Sequence, residues 1–251
     1  MNTKMKVLSL ALVGLCGFAG SAIAACPAGP TTGEGGAWTN KVVSSGSHLA
    51  ISTPGLDATE CKLDADIAGS LTGSALVTYT HAASEPSYRF QFLVNPDALG
   101  SFSLTDNVTV FRGVSTTANG LGYGLQVLLT PGSSGTRRLR FTAACNNPGN
   151  NYRCSAATTT NLPAGVVTVE GKLTFGAGAA GQLDVWVNAG SGTSEPPVTL
   201  SIPNLDNTAW GGITQVFLGL VAPNVPFKNA HAGQVVSFDR FDSRRQTYIG
   251  S

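Results

Sequence analysis

The sequence predicts an all-β protein of two packed antiparallel sheets, and three observations predict it. No long segment repeats its apolar residues at helical spacing, whereas short alternating runs return between turn signals. The composition is 42% hydrophobic but only 12% charged, with 31 glycines and 13 prolines, a balance that suits many short strands joined by turns. These runs number about eleven, enough to fill two sheets of ordinary size.

The chain opens on MNTKMKVLSLALVGLCGFAGSAIA, with Lys4 and Lys6 ahead of an apolar stretch and the small-residue site Ala22-Ile23-Ala24. That is the pattern of a secretory signal peptide over residues 1–24. Its apolar run is shorter than the ~20 residues of a spanning helix, and no later stretch is long and apolar enough to span a membrane. Residues 25–36, with PAGPTTGEGG, read as a lead-in, and residues 37–251 as a single domain without a break in composition.

The clearest strand is SYRFQFLV, where Tyr88, Phe90, Phe92 and Val94 take one face while Arg89, Gln91 and Leu93 take the other, at least partly wet, face. HLAIST and SALVTYT precede it; NVTVFRG, GLQVLLT, RRLRFTAA, VVTVEGKLTF, QLDVWVN, PVTLSI and TQVFLGL follow. Turn-forming pieces such as NPDALG, TPGSSG, NNPGNN and GAGAAG separate them. GAGAAG lacks the Lys-Ser/Thr ending of a phosphate loop and is a turn. The last run, VVSFDRFDSRR, carries Phe238 and Phe241 three apart, so either both faces of this strand are covered or a bulge intervenes. Tyr248 and Ile249 beyond it are placed to pin the tail, with Arg244 and Arg245 solvated or clamping it.

Removal of residues 1–24 leaves 13 basic against 14 acidic side chains, a net charge of minus one. Nucleic acid, which needs clustered positive charge, is excluded as a partner. Four cysteines then remain, an even number that argues for two disulfides in an exported chain. Cys145 and Cys154 close the short loop CNNPGNNYRC, and Cys26 with Cys61 follows by elimination. A competing reading takes Ile23-Ala24-Ala25-Cys26 as a lipoprotein box, which would leave Cys61 unpaired. Either way the protein is secreted or periplasmic.

From about residue 37 onward, GAW, EPSYRFQF, GQLDVWVN, NLDNTAWGGITQVFLG and VSFDRFDSRRQTYIG occur in that order. In these motifs the chain resembles the bacterial laminin-G-like, concanavalin A-like jelly-roll family. The resemblance implies a two-sheet jelly roll whose final strand carries FDRF and whose docked tail carries SRRQTYIG. It implies no established activity.

Polysaccharide hydrolases of that superfamily need two carboxylates flanking the scissile bond. The glutamates Glu34, Glu60, Glu85, Glu170 and Glu195 are scattered, and none pairs with another in a strand-like alternation. No G-x-S-x-G or H-E-x-x-H motif occurs, and His48, His81 and His231 read as loop or surface residues. Asp239 suits a calcium ligand or, more simply, an acceptor for its own turn or for Arg244. Asp57, Asp64 and Asp66 lack calcium-loop spacing. No metal or cofactor is expected.

Alternation in QLDVWVN sets Asp184, Trp186 and Asn188 opposite Leu183, Val185 and Val187. In RRLRFTAA it sets Arg138 and Arg140 opposite Leu139 and Phe141. If these strands neighbour SYRFQFLV, then Arg89, Gln91, Arg140, Asp184 and Trp186 line one face, an aromatic plate among hydrogen-bonding groups that suits a sugar. The sequence thus leads to an exported non-catalytic module that binds a glycan. A structural or adhesive protein that recognises other proteins and, last, a glycoside hydrolase are the alternatives.

Overall fold

The computed structural model describes residues 25–68, 73–85, 87–115, 123–146, 154–189, 194–244 and 247–249; the signal-peptide segment 1–24 and Arg245 lie outside them, as do the side chains of residues 154–156. Strands form where the alternating runs stand: β1 (Asn40–Val43), β2 (His48–Ser52), β3 (Lys62–Asp66), β4 (Ala75–Glu85), β5 (Ser87–Asn95), β6 (Val108–Val114) and β7 (Leu125–Pro131). They continue with β8 (Arg137–Cys145), β9 (Cys154–Asn161), β10 (Val167–Thr174), β11 (Gly181–Val187), β12 (Leu200–Leu205), β13 (Ile213–Val221) and β14 (Val236–Arg244). A helix, α1 (Val225–His231), joins the last two.

All pairings between these strands are antiparallel, and they make two seven-stranded sheets that pack as a sandwich. The first runs β1-β4-β13-β6-β7-β8-β9 and the second β12-β11-β10-β5-β14-β3-β2. The all-β, two-sheet expectation holds. The strands absent from the sequence reading, β1, β3 and β9, lie at or next to a sheet edge and are short or rich in polar residues, so their alternation is faint.

Inward-facing side chains from both sheets form one core. Phe90 of the second sheet stacks on Phe111 of the first, with ring centroids 4.3 Å apart, and Phe92 adds a second contact to Phe111 at 5.5 Å. All three rings are fully buried, and each such burial contributes about 1.5–3 kcal/mol. Gly171, opposite Phe90 in β10, makes the stack possible, because a Cβ there would stand 2.5 Å from the Phe90 ring. β5 is covered on both faces: Arg89, Gln91 and Leu93 are buried as fully as the phenylalanines, which corrects the partly wet face expected of this strand.

In β14 the partner in β5 steps from Leu93 at Asp239 to Gln91 at Asp242, so two residues, Arg240 and Phe241, stand opposite the single Phe92 and the strand carries one extra residue. Arg240 takes the left-handed conformation, φ 48°, that this bulge requires. The parity change turns both phenylalanines inward, Phe238 onto Phe92 and Phe241 onto Phe111 and Trp38. Of the two options that the spacing left open, the bulge is the one realised.

Cys26 and Cys61 are joined as a disulfide, which ties the lead-in to the start of β3 and occupies the sulfur that a lipid would need. The register of β8 with β9 sets Cys145 directly opposite Cys154. No helix among the described residues is long and apolar enough to cross a membrane.

Candidate functional site

The residues expected to share a sugar-binding face divide between two sheets. Gln91, Glu170 and Trp186 form one row across β5, β10 and β11, and Arg89, Lys172 and Asp184 form the next, so four of the five expected residues do lie on the outer face of the second sheet. Arg140 does not join them. Its strand, β8, belongs to the first sheet, so Arg140 stands on the opposite side of the sandwich.

The four are also not free. The Arg89 guanidinium lies between Trp186, 4.4 Å from the ring centroid, and Tyr248, 4.9 Å away. Its Nε donates to Glu170 and its Nη1 to Glu195 at 2.9 Å. Gln91 donates to Glu170 at 3.1 Å, and the Ile249 amide donates to the same carboxylate at 3.1 Å. Trp186 donates its indole N–H to the Pro196 carbonyl at 2.9 Å and is 1% exposed. A tryptophan so buried offers no plate to a sugar, and Asp184, hydrogen-bonded to Gln182 and Ser201, stands outside this cluster. Arg244 bonds the Tyr248 carbonyl at 3.3 Å and the Asp242 carboxylate at 2.8 Å.

Other acidic and basic groups read from the sequence have local partners. Asp239 accepts from the Leu56 amide at 2.8 Å, from the Thr59 hydroxyl and from the Arg240 amide at 2.7 Å, so it braces a turn. No group of three metal-ligating side chains occurs among the described residues. His48 pairs with Asp66 at 3.0 Å on the surface. His231 is buried, 3.2 Å from Asp106 and 2.9 Å from Gln234, which corrects its reading as a loop or surface residue. Ser103 donates to Asp106 rather than to His231, so this serine, aspartate and histidine stand in the wrong order for a nucleophile.

The outer face of the first sheet is different. Register aligns Thr78, Phe217, Arg112, Gln126 and Thr142 across β4, β13, β6, β7 and β8, with Arg138 and Arg140 on the same side of β8. With its amide oxygen turned toward Arg112, Gln126 accepts from both Nε and Nη2 of the guanidinium at 2.9 Å. Tyr123, just ahead of β7, sets its ring 5.8 Å from the same guanidinium. Burial pulls the Arg112 pKa below its usual value, but an arginine remains a cation at any physiological pH. Glu85 turns into the cleft between the sheets, and no other residue of these seven strands is acidic. Arg112, Arg138 and Arg140 make no ion pair among the described residues. Phe217 is half-buried, leaving part of an aromatic ring beside the guanidinium.

Sequence reasoning missed Arg112 because strict alternation in NVTVFRG would group it with Val108 and Val110, facing the core. A bulge at Val110, between the pairs Thr109–Leu128 and Phe111–Val127, hands the inward position to Phe111 and turns Arg112 out. The available signal was energetic: a lone arginine facing an apolar core is costly enough to demand a change of parity.

Several solved structures share this fold. The endo-β-1,4-glucuronan lyase from the fungus Trichoderma reesei overlays with a TM-score of 0.63 at 11% identity, over 88% of this chain and 94% of that one. Alginate lyase Aly36B gives 0.57 at 12% identity, over 90% and 96%. Alginate lyase vAL-1 from Chlorella virus gives 0.54 at 12%, over 86% and 96%. No family model and no curated protein matches the chain, and at these identities the likeness is one of fold. It corrects the expectation of a non-catalytic module, since nearly the whole chain follows a fold that carries polysaccharide lyases. The missing glutamate pair, on which that expectation rested, argues only against hydrolysis. A lyase cleaves by elimination and has no need of two facing carboxylates.

Proposed function

We propose that this chain is an exported polysaccharide lyase that takes an acidic glycan across the outer face of the first sheet. The carrying observation is an outer sheet face on which Arg112, Arg138 and Arg140 stand without a carboxylate among the described residues, with Arg112 held by Gln126 and flanked by Tyr123 and Phe217. Such a face attracts a polyanion and repels neither its carboxylates nor its hydroxyls. The fold shared with glucuronan and alginate lyases supports the reading, as does the Cys26–Cys61 disulfide, which suits an oxidising compartment. Membership in the bacterial laminin-G-like jelly-roll family and a single domain over residues 37–251 belong to the same proposal.

The chemistry follows from the groups on this face. Arg112 pairs with the uronate carboxylate and lowers the acidity barrier at the adjacent C5, because the negative charge that develops there spreads onto the paired carboxylate. Gln126 keeps the guanidinium fork in one orientation, so no reorganisation is needed as that charge grows. Tyr123 is the proton carrier: as phenolate it removes the C5 proton, and the electron pair left behind forms the C4=C5 double bond. The C4–O4 bond breaks, its electrons leave on the oxygen, and the phenol returns a proton to that oxygen. Phe217 stacks on a neighbouring ring through its C–H face.

The test is to incubate the mature protein with polyglucuronate, with alginate and with a neutral glucan, following the ultraviolet absorbance of the unsaturated uronate. Product forms from a uronan and not from the neutral glucan. Tyr123→Phe and Arg112→Ala each lower kcat by roughly 100-fold or more, on the scale of losing one transition-state donor. No unsaturated product from any uronan, or full activity in Arg112→Ala, ends the proposal.

A further inference from the structure

The molecule carries a second opening, remote in character from the arginine face, where the sandwich parts at one edge. β4 outruns its neighbour β1, whose pairing stops at Thr78, and its pairing with β13 jumps from Thr80 to Glu85. Residues 81–84 therefore bulge away from the sheet. Across the gap, the bulge in β14 turns Phe241 inward. Between the two bulges lies a cleft of about 440 Å³ walled by Trp38, Tyr79, His81 and Phe241, with Asp242 and Ser243 at its rim. A smaller cavity of about 120 Å³ continues from it past His81 and Ser243 to Tyr88, Glu85 and Arg244.

We propose that this cleft is a saccharide site that takes a single neutral pyranose ring. Its size falls within the range of about 300–1,000 Å³ typical of small-ligand pockets. Its walls are aromatic, with Trp38 and Phe241 centroids 4.8 Å apart on one side and Tyr79 against His81 at 5.3 Å on the other, which suits the C–H faces of a sugar. Two buried polar groups here lack a partner. The Tyr88 hydroxyl, on a side chain 1% exposed, makes no hydrogen bond of good geometry, although Ser243 lies near it, and His81 Nε2 has no partner. The two rings meet edge to face at 5.2 Å.

A ring hydroxyl can satisfy both at once, accepting from Tyr88 and donating to His81. Burial supports these roles, holding the Tyr88 phenol protonated and keeping the His81 pKa below its ordinary value, toward neutral imidazole. The charged groups around His81 are Glu85 of its own strand and Asp242 and Arg244 of β14, and Arg244 is already paired with Asp242. Among the described residues no free cation lines the cleft to receive a uronate, which favours an uncharged ligand.

The test reads Trp38 itself. Trp186 and Trp210 are each 1% exposed, so of the three tryptophans only Trp38 meets a ligand. Methyl glucoside, methyl galactoside, methyl mannoside and glucuronate are titrated separately into the mature protein, with emission and saturation-transfer NMR recorded in parallel. At least one neutral glycoside gives a saturable emission change and ring-proton saturation, and glucuronate gives neither. Tyr88→Phe weakens that binding roughly 3- to 10-fold, as the loss of one hydrogen bond predicts, while the aromatic packing stays. Arg112→Ala leaves it unchanged, which separates this site from the proposed lyase face. The proposal is overturned by silence from all three glycosides in both measurements, by glucuronate binding as tightly as they do, or by a Tyr88→Phe variant that binds like the wild type.

Discussion

Arg89 and Arg112 occupy matching situations on the two sides of the sandwich. Each projects from the outer face of an interior strand, each stands beside a glutamine on or next to its strand, and each lies near an aromatic ring. Their surroundings differ in two respects. Arg89 has Glu170 and Glu195 to neutralise it and is fully buried with Trp186 and Tyr248 on its two sides, whereas Arg112 has no carboxylate among the described residues and is only partly buried. A paired, covered arginine spends its charge inside the protein and holds the fold. One without a carboxylate and only partly covered has charge left for something that arrives from solution.

The largest expected effect tests that contrast directly. Arg89→Ala strands the buried Glu170 carboxylate and removes the cation between two rings, so unfolding in denaturant shows a loss of about 3–5 kcal/mol. Arg112→Ala, without a buried partner charge to strand, costs less than about 1 kcal/mol in the same measurement. Equal losses in the two variants would erase the distinction between a structural and a functional arginine.

Next in size is the tail. Ending the chain at Arg244 removes Tyr248 from Arg89 and the Ile249 amide from Glu170, and the stability falls by about 1–3 kcal/mol through lost burial and lost cation–π contact. If the truncated protein melts with the full chain, Tyr248 and Ile249 contribute nothing and Arg89 is held by its carboxylates alone.

How much of this was legible in the sequence depends on what alternation reports. Period two correctly placed Arg89, Gln91, Asp184 and Trp186 on the outward side of their own strands. It does not say which strands are neighbours, so Arg140, equally outward on β8, was grouped with residues on the far side of the molecule. Nor does it say what lies over a face, and the covering here comes from Glu195, Pro196, Tyr248 and Ile249, remote in sequence or outside any strand. Where a bulge breaks the period, as at Val110 ahead of Arg112, the pattern misleads outright. At Phe241 the spacing of two phenylalanines three apart left a bulge open as one of two options, beside cover on both faces, and did not decide between them.

A smaller effect refines the open face. Arg140 lies beside the proposed path of the glycan without touching Arg112, so Arg140→Ala weakens uronan binding only a few-fold and leaves stability within about 0.5 kcal/mol. Raising the salt concentration weakens wild-type binding more steeply than it does in Arg140→Ala, because the variant has one fewer exposed charge to screen. Identical salt dependence in the two proteins would take Arg140 out of the binding surface.

The smallest effect concerns His81, at the mouth of the cleft between these two sheets. Burial, its largest influence, pulls the His81 pKa below the ordinary 6.5, and Glu85 opposes that only in part. A histidine with a depressed folded-state pKa binds its proton more readily in the unfolded chain. Its contribution to stability is therefore whole above about pH 6.5 and is lost as the pH falls through the folded value. Asp106 titrates in a separate window: burial would raise it, but the bonds from Ser103 and the contact with His231 outweigh burial and hold it below the usual carboxylate range. Its loss begins only under more acid conditions, so the contribution of His81 is lost in a window, between about pH 7 and 5, that Asp106 does not share. Denaturant unfolding across that window gives a shallower slope in His81→Gln than in the wild type. Matching slopes would mean that the imidazole is solvated at neutral pH, and the cleft would then lose the unpartnered nitrogen that a sugar hydroxyl is proposed to meet.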